Sequence, residues 1–310
     1  MAKPFVNPFV SGQFLELRVD ALVSDGRGLG RHDGVVVLVE DALPGQLVRA
    51  RVDAVRKSLA EAALVEVLER SPDEQEPPCP HAGRCGGCSW QSLAYGRQLA
   101  WKERIVHDAL ERVGKVACPP MLPILPSPSE WGYRNKMEFA FGVSGDGGKA
   151  LGLRERGSRN IVEVTGCLLQ TPLTMRVLEA VRMLSNGAFH DLDGRFLVVR
   201  EPNAGGCFVE LIVGAGGSLE AGERFAEALR AETPEVTGFA LSERLAPSDV
   251  AYGERALYAD GRLEERIGDV RLQMGHNAFF QVNTPAAELL YAEAARFAAL
   301  EELPDPVLWD

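Results

Sequence analysis

Apolar and polar positions alternate through residues 15–70. Leu15, Leu17 and Val19 alternate with Glu16, Arg18 and Asp20, the period of a half-buried strand. Val35 to Val39 is a short β-branched run, and Val48, Ala50 and Val52 alternate with Arg49, Arg51 and Asp53. A last strand is predicted over Ala62–Leu68. Turn signals separate these segments at Gly26-Arg-Gly-Leu-Gly30, Asp33-Gly34 and Leu43-Pro-Gly45. Four or five short strands with Gly-rich turns predict a small β-barrel of the OB-like kind. The glycines at 26, 28 and 30 do not form a dinucleotide loop, because position 31 is Arg and no long helix follows.

The pattern then changes. Residues 71–78, Ser-Pro-Asp-Glu-Gln-Glu-Pro-Pro, read as a polar, Pro-rich linker. Residues 89–113 predict a helix with Leu99, Val106, Leu110 and Val113 on one face and Gly114 as its stop. Residues 116–130 are Pro-rich and irregular. From Trp131 to about Val282 the pattern is mixed, with strands at Lys136–Val143, Ile161–Val164, Phe196–Arg200 and Phe208–Val213. Helices are predicted near 172–185 and 219–231. Asn283 or Thr284 caps a further helix, with Pro285 at its first position, running to about Leu300. Leu303-Pro-Asp-Pro-Val-Leu-Trp-Asp310 reads as a helix exit leading toward a buried strand, so the chain is expected to be a portion of a longer protein.

Composition is that of an ordinary globular chain, with 46% hydrophobic and 25% charged residues among 310. No run of ~18 uncharged apolar residues is present, so no membrane span is predicted. The segment Met1-Ala-Lys-Pro-Phe-Val-Asn-Pro lacks the apolar core of a signal peptide. The expected compartment is the cytoplasm, where six cysteines are metal ligands or reduced thiols rather than disulfides. A net charge of −11 speaks against a polyanionic partner until the chain is divided. Residues 1–172 hold 21 Lys/Arg and 21 Asp/Glu, whereas residues 173–310 hold 12 and 23. The first half is neutral, and local basic clusters there can bind phosphates because exposed charges are screened beyond ~8–10 Å.

Two constellations carry chemistry. Cys79-Pro-His-Ala-Gly-Arg-Cys85-Gly-Gly-Cys88 places three thiols within ten residues on a Gly-rich loop that can wrap one metal centre. Zinc and iron–sulfur sites both want four ligands, and the spacing does not choose between them. The fourth ligand is open among Cys118, Cys167, Cys207 and His81. Cys167 follows a predicted strand, while Cys118 and Cys207 read as small hydrophobes. The second constellation is Tyr133-Arg-Asn-Lys-Met-Glu-Phe139. As a strand it puts Arg134, Lys136 and Glu138 on one face and Tyr133, Asn135, Met137 and Phe139 on the other. Residues 134–159 hold six Lys/Arg against three Asp/Glu, and basic residues among aromatics suit single-stranded nucleic acid. A solvated strand face over core aromatics has the same pattern.

Five ordered blocks of the chain resemble one family. Gly26-Arg-Gly-Leu-Gly-Arg-His-Asp-Gly34 with Glu40-Asp-Ala-Leu-Pro-Gly45 resembles the TRAM domain, an RNA-binding small barrel. The segment from Cys79 through Cys88, with Gln91 and Trp101-Lys102, is similar to the iron–sulfur segment of bacterial RNA uracil-5-methyltransferases. Tyr133–Phe139, Gly166-Cys167 and His276-Asn-Ala-Phe-Phe-Gln281-Val-Asn283 are similar to the blocks that follow. The branch resembled is the TRAM-bearing, 4Fe–4S kind that methylates 23S ribosomal RNA.

That resemblance implies an α+β multidomain architecture: a TRAM barrel over 1–70, a mixed α/β central domain with an iron–sulfur loop over 75–270, and the start of a Rossmann-like methyltransferase domain over 271–310. It implies that helix 89–114 packs on the catalytic domain. It assigns Cys79, Cys85, Cys88 and Cys167 to a 4Fe–4S cluster, Gln281 to S-adenosylmethionine, and Arg134 with Lys136 to RNA. The implied activity is methyl transfer to carbon 5 of a specific uracil in 23S rRNA. The nucleophilic cysteine and glutamate base are expected beyond Asp310, so the chain by itself is expected to be inactive. The alternative is a non-catalytic RNA-binding protein carrying a metal or cluster. A monomer without an obligate protein partner or membrane association is expected.

Overall fold

The computed structural model describes residues 7–214 and 217–299. The predicted strand approach at Leu303–Asp310 lies outside them. Two compact units emerge, residues 1–126 and 127–310. Among the described residues no helix is long and apolar enough to cross a membrane.

In the first unit, strands β1 (Phe14–Leu22), β2 (Gly28–His32), β3 (Val35–Glu40), β4 (Leu47–Arg56) and β5 (Leu59–Glu69) form a closed barrel in the order β1-β2-β3-β5-β4. Only the β3–β5 pair is parallel. Alternation decides which side chains fill it: Leu15, Leu17, Val19, Val35, Val37, Val48, Ala50 and Val52 are all buried in one core. The polar alternates face outward as ion pairs, with Arg49 between Glu16 and Glu66 and Arg18 on Glu69. Asp33-Gly34 forms the β2–β3 turn, both residues taking positive φ, as a tight hairpin requires.

Three sequence expectations are corrected in this unit. Gly28 and Gly30 lie in β2 rather than in a turn. A Cβ on Gly30 would stand 2.4 Å from the Arg18 carbonyl oxygen, and one on Gly28 2.7 Å from that of Ala42. The glycines therefore permit close backbone approach, a use that looks like a turn signal in sequence. The supposed linker at 71–78 is pinned to the barrel: Glu74 accepts hydrogen bonds from the Gln46 side chain (2.8 Å) and Arg70 (2.9 Å). The helix α1 spans Tyr95–Asp108 and continues as one π-helical turn, Ala109–Val113, while residues 89–94 form turns. Its packed face is also different. Trp101 and Ile105, with Trp90, pack on Leu22, Leu43 and Leu93, leaving Val106 and Val113 exposed.

The second unit contains β6 (Lys136–Val143), β7 (Lys149–Arg154), β8 (Ile161–Val162), α2 (Pro172–Asn186), β9 (Gly194–Arg200), β10 (Cys207–Val213), α3 (Leu219–Glu232), β11 (Val236–Glu243) and β12 (Arg255–Asp260). Then come β13 (Leu263–Ile267), β14 (Val270–Met274) and α4 (Thr284–Ala298). The strands form a seven-stranded sheet ordered β12-β11-β10-β9-β6-β7-β8, and β13–β14 is a separate two-stranded ribbon. Pairing of β10 with β11 is parallel, and α3 is the crossover between them. β10 is buried at every position, as a central strand covered on both faces must be. On the helical face Phe225 stacks on Phe239 at 5.5 Å and tilts against Phe189 at 4.8 Å. The opposite face carries Ala140, Phe196, Val198 and Ile212, packed against Ala251.

Strand β6 begins at Lys136, so Tyr133–Asn135 precede it rather than extend it, and β8 is two residues long rather than four. The last helix is capped by Asn283, one of the two residues the sequence offered, and Thr171 supplies a second cap. Thr171 accepts from the Thr174 amide at the start of α2, and Asn283 accepts from the Ala286 amide at the start of α4. The last helix ends at Ala298 with Ala299 in the left-handed region, where the described chain also ends.

Candidate functional site

The cysteine loop is built from tight turns. The amides of Cys85 and Arg84 both donate to the His81 carbonyl, at 2.9 and 3.2 Å, and Gly83 between them has φ of +81°. The Gly87 amide donates to Cys85 Sγ at 3.4 Å. Backbone N–H groups aimed at sulfur stabilise thiolate character and tune iron–sulfur clusters. Cys79, Cys85, Cys88, Cys118 and Cys167 are half-buried. Among the described residues, no three His, Cys, Asp or Glu side chains stand in an arrangement that could hold a metal ion. Thiols on such a turn-rich loop are the donor type that iron–sulfur clusters take. Cys207 is a poor ligand: it is wholly buried in β10, and burial pushes its thiol up to about 12.

In the second unit, the segment before β6 joins two other blocks. Backbone amides of Gly132 and Arg134 donate to the carbonyls of Leu168 and Leu169, just after Cys167. Asn135 has the largest set of partners. Its amide N–H donates to the Val282 carbonyl, and its carbonyl accepts from the Glu201 amide. Its side-chain Nδ2 donates to the Gln281 carbonyl at 2.9 Å, Thr284 Oγ1 at 2.8 Å and Glu265 Oε2 at 3.4 Å. Glu265 is buried, and its Oε1 accepts from the amides of Asn203 (2.7 Å) and Arg266 (2.9 Å). Burial raises the Glu265 carboxyl above the usual carboxylate range, opposed by those amides and by Thr284 and Asn135.

Segment 275–283 is held from the sheet as well. Arg200, buried at the end of β9, donates from Nη2 to the Ala278 carbonyl at 2.7 Å. Burial lowers its pKa, opposed by the charges of Glu210 and Glu138. His276 Nε2 stands 3.8 Å from the buried Glu210 carboxylate, and Asn277 Nδ2 donates to the Gly253 carbonyl at 3.0 Å. Gln281 is thereby fixed through its backbone. Its side-chain amide has no hydrogen-bond partner among the described residues, so both its donor and its acceptor are available to a ligand.

The two basic candidates differ in their surroundings. Lys136 Nζ lies 2.5 Å from Glu138, two residues along the same strand face, so its charge is balanced locally. Arg134 Nε donates to the Lys136 carbonyl, and the guanidinium has no acidic partner among the described residues. Asn135, Arg200, Glu210 and Glu265 were not singled out by sequence reasoning. The block Tyr133–Phe139 marked the region of Asn135, but nothing in the sequence distinguishes buried Glu265 from its neighbour Glu264.

Comparisons with known proteins bear on the family and the fold. The TRAM domain family matches residues 8–65, which contain most of the barrel. A protein of Nitratidesulfovibrio vulgaris named an uncharacterized RNA methyltransferase is 45% identical over 94% of this chain and 65% of its own length. Another so named, from Caldanaerobacter subterraneus subsp. tengcongensis, is 31% identical over 95% of this chain and 67% of its own length. The chain thus spans about two thirds of the length of these curated relatives. The crystal structure of Pyrococcus abyssi tRNA (uracil-54, C5)-methyltransferase in complex with S-adenosyl-L-homocysteine shares the fold. Its TM-score is 0.67 at 23% identity, over 90% of this chain and 64% of that one.

The Glu265 carboxyl sets a pH signature. A carboxyl whose pKa is raised on folding contributes its full stability while protonated in both states, and that contribution is lost as pH rises through the raised value. Glu265→Gln removes the titration and leaves the other carboxylates as they are. Above about pH 4, the ordinary glutamate range, the variant's stability should rise relative to the wild type as pH increases through the raised value, read from denaturant midpoints. Parallel pH profiles for the two proteins would contradict this.

Proposed function

This chain belongs to the RNA methyltransferase family of these relatives, and from that premise we propose that it serves an enzyme methylating carbon 5 of one uracil in 23S ribosomal RNA, with S-adenosylmethionine as methyl donor. The fold shared with a tRNA uracil-C5 methyltransferase is the observation that carries the choice of base and atom. The TRAM match supports RNA as the partner. The cysteine loop supports the 23S branch, which bears a cluster in the family resembled.

The chemistry explains the division of labour. Carbon 5 of uracil is a weak nucleophile. A thiolate adding at carbon 6 makes carbon 5 enolate-like, so that it takes the methyl group with S-adenosylhomocysteine leaving; a base then removes the carbon 5 hydrogen and the thiolate is expelled from carbon 6. The resemblance puts that thiolate and base beyond Asp310, and no cysteine of this chain is assigned the role. S-adenosylmethionine supplies the methyl group when bound. The residues described here bind and orient. The Gln281 amide is the cofactor ligand, held in place by Asn135 and by the Arg200 bond to Ala278. Arg134 meets RNA phosphate, with Lys136 binding more weakly because of Glu138. The target base must leave its stack to be reached, which favours a surface that grips the flanking backbone.

Cys79, Cys85, Cys88 and Cys167 are proposed as ligands of a 4Fe–4S cluster whose role is to fix the local fold rather than to pass electrons. The Gly87 N–H to Cys85 Sγ bond is the structural observation in its favour. Protein purified without air should contain iron and acid-labile sulfide in equal amounts and lose both in the double variant Cys85→Ser, Cys88→Ser. Stoichiometric zinc without sulfide would contradict it. The function itself is tested by mapping methylated uracils in a strain lacking the gene. One 5-methyluridine of 23S rRNA should disappear; an unchanged 23S map, or a loss from tRNA instead, would refute the proposal.

A further inference from the structure

The ribbon β13–β14 stands apart from the seven-stranded sheet and turns two different faces outward and inward. Leu263 and Glu265 face inward, Leu263 packing with Phe208 and Ala240. The alternate positions carry Glu264 and Arg266 on β13 and Arg271 and Gln273 on β14, with Arg262 in the turn before them. Arg266 and Arg271 are directly opposed in the register. Like charges facing each other across strands disfavour pairing, so this placement gains nothing for the fold. Arg271 reaches Glu264 at 2.8 Å, but Arg262 and Arg266 have no acidic partner among the described residues. On the barrel, by contrast, Arg18, Arg49, Arg51 and Arg56 are each within reach of a carboxylate. The ribbon's outer face thus holds two arginines against one glutamate, with Arg262 in the adjoining turn as a third, in a chain whose net charge is −11.

The ribbon is also tied to the functional segment. Glu265 beneath it accepts from Asn135, which holds the Gln281 backbone and adjoins Arg134. We propose that the backbone of the RNA substrate crosses the outer face of the β13–β14 ribbon, with Arg262 and Arg266, which have no acidic partner among the described residues, on phosphates and Arg271, shared with Glu264, beside them. This rests on the reading of the protein as an RNA enzyme. Exposed arginines on a two-stranded ribbon suit a polyanion: the guanidinium fork grips phosphate oxygens, and two-stranded ribbons serve as nucleic-acid readers elsewhere. No large apolar side chain lies on this face, since the exposed Val270 and Leu272 belong to the other.

The test measures binding of in vitro transcribed 23S rRNA across a range of salt, for wild type, for the double variant Arg262→Gln, Arg266→Gln, and for Arg176→Gln. Arg176 lies on α2 in an ion pair with Glu235. Every phosphate that a variant no longer neutralises should make the plot of log affinity against log salt shallower by about one. The double variant's slope should therefore fall by about two, and its binding should be on the order of tenfold weaker. Arg176→Gln should match the wild type, and all three proteins should melt alike. A wild type that binds RNA with a double variant of the same affinity and slope overturns the ribbon proposal alone. Weakening without a change of slope also overturns it. A wild type without RNA affinity overturns the RNA reading together with the ribbon.

Discussion

A carboxylate taken out of water destabilises a fold unless donors replace the water around it, and Glu265 is almost wholly buried. Its donors come from places far apart in the chain: the Asn203 and Arg266 amides, Asn135 Nδ2 and Thr284 Oγ1. Satisfying one buried group therefore draws together the approach to β6, the loop after β9, the ribbon and the start of α4. Asn135 then passes that constraint to Gln281 and Val282 through its side chain and backbone. Arg200 does the same from below, since a buried guanidinium must also find acceptors and the Ala278 carbonyl is one. The segment 275–283 has little regular structure of its own, so these polar bonds set its position more than apolar packing does.

The first unit solves a different problem. Its barrel closes on a purely apolar interior, and its charged exterior is largely self-neutralised by Arg–Glu and Arg–Asp pairs. Such exposed pairs contribute little to stability, about 0–1 kcal/mol each. Their consequence is electrostatic: paired arginines present little net field to a polyanion, whereas Arg134, Arg262 and Arg266 keep theirs. The whole-chain charge of −11 therefore says nothing about where an anion binds.

The barrel strands could be read directly from sequence because one face of each is buried, and burial enforces alternation. The cap of the last helix, open between Asn283 and Thr284, was also legible, since capping is a local bond. The misreadings have a common cause. Gly28 and Gly30 carry the same letter whether they make a turn or admit a neighbouring backbone. On α1, the Leu99–Val106–Leu110–Val113 stripe and the Trp101–Ile105 stripe both have helical spacing, and only the position of Leu22, Leu43 and Leu93 selects the second. Asn135 and Glu265 are separated by 130 positions, and no local pattern links them. The three clustered cysteines were legible from their spacing, whereas Gln281, Cys167 as fourth ligand and the choice of a 4Fe–4S cluster entered through resemblance, because they depend on partners that spacing alone does not specify.

The dependence of segment 275–283 on Asn135 is open to direct measurement by amide hydrogen exchange on the wild type and Asn135→Ala. Removing the side chain leaves Glu265 short of a donor and frees the Gln281 carbonyl, at a cost of about 1–3 kcal/mol. Protection should fall together over residues 263–267 and 276–287, while the barrel strands exchange as in the wild type. Unchanged protection over 276–287 would contradict the account, because the segment bearing Gln281 would then be held by something other than this buried network.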